Sequence, residues 1–114
     1  MGNIPSQRSI REKSDPMTNS MNIRRLALDV DKAISKPSLI ELAAAVSSCS
    51  GVEGFNITVS DIDIETVGMD VTIEGQYLDY DELVKAMEER GAVVHSIDQI
   101  VCGERIVERV ERAR

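Results

Sequence analysis

An α+β sandwich, one four-stranded antiparallel sheet with two helices on one of its faces, is the fold this sequence predicts. Three observations predict it. Apolar residues alternate with polar ones at period two in three separate stretches, and a fourth short apolar-rich stretch, Ala92 to Asp98, also reads as a strand. Two intervening stretches change to a period of 3.6, and each opens on a helix-capping signature. The six follow one another as strand, helix, strand, strand, helix, strand, which is the ferredoxin-like βαββαβ unit. With 114 residues the chain is long enough for one modest core and too short for a second.

Residues 1–22 read as a disordered tail, because Ser, Asn, Pro, Arg and Lys dominate and the few apolar residues follow no period. The ferredoxin-like domain is expected over residues 23–107, with 108–114 as a charged C-terminal tail. Strand one runs from Ile23 to Val30, where Leu26, Leu28 and Val30 alternate with Arg25, Ala27 and Asp29. A loop from Asp31 to Pro37 leads to Ser38, which caps the first helix, with Glu41 completing a capping box and Leu39, Leu42, Ala43 and Val46 forming the apolar stripe. Gly51 ends it.

In the second strand Phe55, Ile57 and Val59 occupy odd positions, whereas Ile62 and Ile64 occupy even ones. A β-bulge near Ser60 and Asp61 would return all five to one face. A turn over Thr66, Val67 and Gly68 is expected to lead into a third strand with Met69, Val71 and Ile73 inward. Asp79 starts the second helix, again with Glu at the capping-box position, Glu82, and with Tyr80, Leu83, Val84 and Met87 in one stripe; Gly91 stops it. Ala92 to Asp98 is the fourth strand, Gln99 to Gly103 a short extended segment, and Ile106, Val107 and Val110 form a weak helical stripe beyond. Two helices cover one sheet face only. The other carries Arg25, Asp29, Asn56, Thr58, Asp61, Asp63, Glu65, Asp70, Thr72 and Glu74, a polar and mainly acidic surface.

Arg24-Arg25-Leu26-Ala27-Leu28-Asp29-Val30, Phe55-Asn56-Ile57-Thr58, Ile62-Asp63 with Glu65-Thr66, Thr72-Ile73-Glu74-Gly75 and His95-Ser96-Ile97-Asp98 resemble, in this order, the successive blocks of the archaeal domain-of-unknown-function family 211. The resemblance spans about Ile23 to Val107. It implies a ferredoxin-like fold, an archaeal source and a homo-oligomeric ring, and it passes on no activity.

Composition excludes several functions. The net charge is −7, and residues 53–98 hold twelve acidic groups against two basic ones, so the surface disfavours nucleic acid and draws a cation or a basic partner. The open face lacks the aromatic residues of an RNA-recognition sheet. The loop 31–37 has neither the cysteine pair of a copper chaperone nor the glycine of an amino-acid-sensing domain. Cys49 and Cys102 form no metal-ligand spacing with the single His and fit a reduced, cytoplasmic setting as small buried hydrophobes. No apolar run is long enough to cross a membrane.

The candidate site is the set Asp61, Asp63, Glu65, Asp70 and Glu74. Oxygen ligands suit calcium or magnesium, although the spacing lies on a strand and lacks the glycine of an EF-hand loop. The plainest reading of the same set is an ordinary solvated sheet face, and a further one is a contact for basic residues of a neighbouring subunit. His95, Ser96 and Asp98 superficially offer a base, a hydroxyl and a carboxylate, but strict alternation along a strand places His95 and Ser96 on opposite faces, leaving His95 hydrogen-bonded at a sheet or subunit boundary. The expectation is therefore a non-enzymatic, homo-oligomeric binding or scaffolding module, holding a divalent cation on its acidic face. The alternatives are a domain sensing a small metabolite at a subunit interface and, more weakly, a hydrolase using the acidic cluster. The apolar segment Ile97 to Cys102 at the sheet edge is expected to pad the contact between copies.

Overall fold

The structure, a computed structural model of the chain, describes residues 21–112. The expected tail over residues 1–20 lies outside them. Strands β1 (Ile23–Ala33), β2 (Val52–Ile62), β3 (Thr66–Gly75) and β4 (Val93–Cys102) form one sheet in the order β2-β3-β1-β4, and every pairing is antiparallel. Helices α1 (Leu39–Ser47) and α2 (Tyr80–Glu89) follow β1 and β3. This is the ferredoxin-like arrangement that the element order predicts.

The period-two pattern decides which face is buried. Leu26, Leu28 and Val30 of β1 and Met69, Val71 and Ile73 of β3 meet Leu42 and Val46 of α1 and Leu83 and Met87 of α2 in one core. Burying each side chain of this size contributes about 1.5–3 kcal/mol relative to exposure. Ser38 caps α1 as expected: its Oγ accepts from the Glu41 N–H, and its own N–H donates to Glu41 Oε1. The stripe rotates slightly, since Ala45 is buried and Leu39 is about a third exposed. In α2 the Asp79 side chain accepts from the Glu82 N–H, while Glu82 Oε1 accepts from Ser50 N–H at 3.2 Å. The reciprocal half of the expected box thus ties the two helices together.

The bulge in β2 lies where the parity change places it, with Ser60 the extra residue between the pairs Val59–Met69 and Asp61–Gly68. It does not bring all five apolar residues under cover: Phe55 and Ile57 pack against the core, while Ile62 and Ile64 stay 69% and 87% exposed. Three boundaries also move. β1 runs on to Ala33 because Asp31, Lys32 and Ala33 find partners in Gly68, Val67 and Thr66. The hairpin turn is consequently Asp63 to Glu65 rather than Thr66 to Gly68, closed by the Asp63 N–H on Thr66 O and by the Ile64 N–H on Asp63 Oδ1. β4 is a single strand through Cys102, and residues 104–112 form no helix but an exposed arm.

Candidate functional site

The open face is built in rows across the sheet. Thr58, Asp70, Asp29 and Ser96 form one row, each opposite the next, and Asn56, Thr72, Ala27 and Gln99 form the row beside it. On one side of these lie Asp61, Gly68, Asp31 and Val93, and on the other Gly54, Glu74, Arg25 and Val101.

This order separates the five carboxylates that the sequence groups together. Asp61 and Asp70 stay on adjoining rows. Glu74 sits at the far end opposite Arg25, and Asp63 and Glu65 belong to the hairpin turn. β1 supplies Asp29, directly opposite Asp70, and Asp31, whose carboxylate flanks Gly68 on one side while Asp61 and Ser60 flank it on the other. Like charges directly opposite repel and need screening. Among the described residues, no three side chains of His, Cys, Asp or Glu converge closely enough to hold a metal ion.

His95 and Ser96 are placed differently from strict alternation. β4 bulges twice against β1, with His95 left over between Val94 and Ser96 and Asp98 left over between Ile97 and Gln99. The first bulge turns His95 toward the open face, where its Nε2 lies 2.9 Å from Asp31 Oδ2, and Ser96 Oγ donates to Asp98 Oδ1 at 2.9 Å. Histidine and serine therefore each have a separate carboxylate partner, and no relay joins them. The regular spacing of Val94, Ile97 and Ile100 by three residues is the sequence signal of both bulges.

Arg25 is the best-connected polar side chain of the face. Its Nε donates to Glu74 Oε2 at 2.7 Å, and its two terminal nitrogens form a fork with Glu108 at 3.1 and 3.2 Å. Nη1 also reaches Gln99 Oε1 at 3.4 Å. The hydrogen bonds from Arg25, and then its charge, hold the Glu108 carboxyl below the usual carboxylate range, and both carboxylates raise the guanidinium further above its ordinary value. Arg24 fastens the start of the arm, donating to the carbonyls of Gly103 and Glu104. The arm is thereby folded back toward the open face, and Val101, opposite Arg25, is buried although it stands outside the core shared by the helices. Partners 49 and 83 residues from Arg25 leave no trace in local sequence.

Both thiols are free. Burial, reinforced by Glu82 and Asp79, pushes the Cys49 thiol up, as befits a residue packed between α1 and α2. Cys102 packs partly against the core at the end of β4. Among the described residues, no helix is long and apolar enough to cross a membrane.

The family model described as "Uncharacterized ArCR", DUF211, matches residues 24–114, which takes in all four strands, both helices and the arm. The chain belongs to the DUF211 family. An uncharacterized protein of the archaeon Methanocaldococcus jannaschii, MJ0319, is 44% identical over 88 residues, covering 77% of this chain and 90% of that one. The archaeal resemblance read from the sequence blocks is thus the right one, and this DUF211 protein shares most of its length with that relative.

Proposed function

We propose that this DUF211 protein is a non-enzymatic binding or scaffolding module, working in the cytoplasm, whose function depends on assembly with copies of itself. The observation that carries the reading is the edge strand β4. Its Ile97 and Ile100 lie on the core-facing side of the sheet, opposite Leu28 and Leu26, yet remain 43% and 48% exposed. β4 pairs on one side only, so its outer edge offers unpaired backbone groups beside an apolar strip. β2 is the other edge, and an edge-to-edge contact between unlike surfaces closes into a ring when the rotation closes. Val101 takes no part in that contact, being buried within its own chain.

Light scattering on the full chain tests this. The expected mass is several times the 12.6 kDa of one chain, and Ile97→Asp with Ile100→Asp reduces it while the circular dichroism of the fold persists. A monodisperse monomer at micromolar concentration overturns the reading.

A second reading is favoured by the facing pair Asp29 and Asp70, with Asp31 and Asp61 one row away. A calcium or magnesium ion held there largely through water would relieve their repulsion, and of the five residues named from sequence it would use Asp61 and Asp70. Chelator-treated protein should then gain thermal stability in millimolar calcium, because a ligand of the folded state alone raises the midpoint. Asp70→Asn should abolish the gain, and no gain with either ion refutes this reading.

A further inference from the structure

The hairpin turn exposes large apolar side chains. Ile62 and Ile64 are 69% and 87% exposed, and Ile34, whose N–H donates to Glu65 O, adds a third exposed apolar side chain beside them. Asp61, Asp63 and Glu65 surround these three and are themselves exposed. A solvated turn has no need of apolar side chains this open, and an apolar patch rimmed by charge marks a contact surface. Its partner has to be apolar and basic.

The C-terminal arm supplies both. Ile106, Val107 and Val110 are exposed, and Arg105, Arg109 and Arg112 are interleaved with them and with Glu104 and Glu111; because Glu108 is already engaged by Arg25, the remaining charges of the arm sum to +1. The arm cannot meet the hairpin turn of its own chain. Glu108 is held at Arg25, and the turn lies beyond Ala33, eight residues along β1, about 27 Å at ~3.4 Å per residue. Residues 109–112 add at most about 14 Å when fully extended. We infer that the hairpin turn of one copy docks on the C-terminal arm of a second copy, with Ile62 and Ile64 against the arm's apolar residues and the turn's carboxylates against Arg105 and Arg109. This rests on the self-assembly reading and assigns it a head-to-tail contact.

Charge exchange in the full chain tests the contact by sedimentation and light scattering. Asp63→Arg with Glu65→Arg should weaken assembly at least tenfold, as should Arg105→Glu with Arg109→Glu in a separate variant. Mixed in equal amounts, the two should assemble again, since each supplies what the other lacks. Ile62→Ser with Ile64→Ser should weaken assembly without recovery by either. A monomeric wild-type chain overturns the self-assembly reading and this contact with it. A wild-type assembly that survives all three variants overturns the contact alone. Weakening by the turn variants but not by the arm variant overturns the arm as the occupant and points to another basic segment, such as residues 1–20. Failure of the two charge variants to recover on mixing, with circular dichroism unchanged, overturns the pairing.

Discussion

At the end of the sheet where β1 begins, Asn22, Arg24 and Arg25 are tied into specific bonds; at the end where β1 finishes, charged and apolar side chains stand open side by side. The first end holds the Arg25 fork, the Arg24 bonds to the arm, and Asn22, which accepts from the Tyr77 N–H, donates to Gln76 Oε1 and accepts the Gly103 N–H at its own carbonyl. The second holds Ile62, Ile64 and Ile34 beside Asp61, Asp63 and Glu65. Sequence distance explains part of the contrast. The engaged end gathers residues from 22 to 108 and must be fastened by specific bonds, whereas the apolar tip of the open end is a hairpin turn that forms locally and needs few. What the open end keeps uncovered is thereby available for contact.

The sharpest way to break the engaged end is Gly75→Ala. Gly51 and Gly75 lie so close that a Cβ on Gly75 would sit 1.9 Å from Gly51 O, a backbone atom, and the Gln76 N–H bonds to that same oxygen. Strand β2 would have to separate from β3. We expect a loss of about 3 kcal/mol or more, in the upper range of overpacking costs. That loss lowers the melting midpoint by upwards of about 12 °C for a domain of this size. Gly54→Ala on the paired strand β2, whose added Cβ meets nothing within 4 Å, should leave the midpoint nearly unchanged. Equal shifts for both would show that the close approach is not what matters.

Asn22→Ala should come next, with a loss of about 1–3 kcal/mol. Asn22 is 7% exposed and satisfies the N–H of Tyr77, a residue with φ of 49° whose backbone cannot easily turn to find another acceptor. Urea unfolding measures this directly, and a change within experimental error would mean that water replaces the amide.

At the open end, Ile62→Ser with Ile64→Ser should cost the isolated fold no more than about 0.5 kcal/mol, as surface substitutions do. The measurement is urea unfolding at low protein concentration, since association makes apparent stability depend on concentration. A loss of several kcal/mol at every dilution would mean that these isoleucines are structural and that the two ends do not differ as described.

The contrast also explains what could be read from the sequence. Ser38 with Glu41, the parity change at Ser60 and the order of the six elements are local signals, and all three appear in the structure. The turn was displaced because Asp63 closes it through its own side chain, which let the β-branched Thr66 and Val67 remain in the ladder. The candidate carboxylates were separated for a related reason. Grouping them supposes one uninterrupted hairpin, but Glu74 is held at the opposite end by Arg25, and β1 brings in Asp29 and Asp31 from 30 or more residues away. A site assembled across strands is legible only once the register is known.

The smallest expected effect concerns the arm and its dependence on pH. Glu108 titrates below the usual carboxylate range because Arg25 stabilises its charged form, so the fork favours the folded arm at any pH above the ordinary value of about 4.3. As pH falls through that value, an unfolded chain takes up the proton first while the folded arm still holds its charge. The contribution is lost only when pH falls through the lower, folded value. Arg25 remains protonated throughout, so Glu108 alone sets the window. Carbon NMR of the Glu108 carboxyl should give a midpoint below the ordinary value in the native chain and return it toward about 4.3 in Arg25→Gln. Backbone amides of the arm should exchange faster in that variant at neutral pH, and acid should produce little additional change. A Glu108 midpoint that ignores the substitution would mean that the arm is held by the Arg24 bonds to Gly103 and Glu104 alone, and the engaged end would then stop at Gly103 instead of reaching onto the open face.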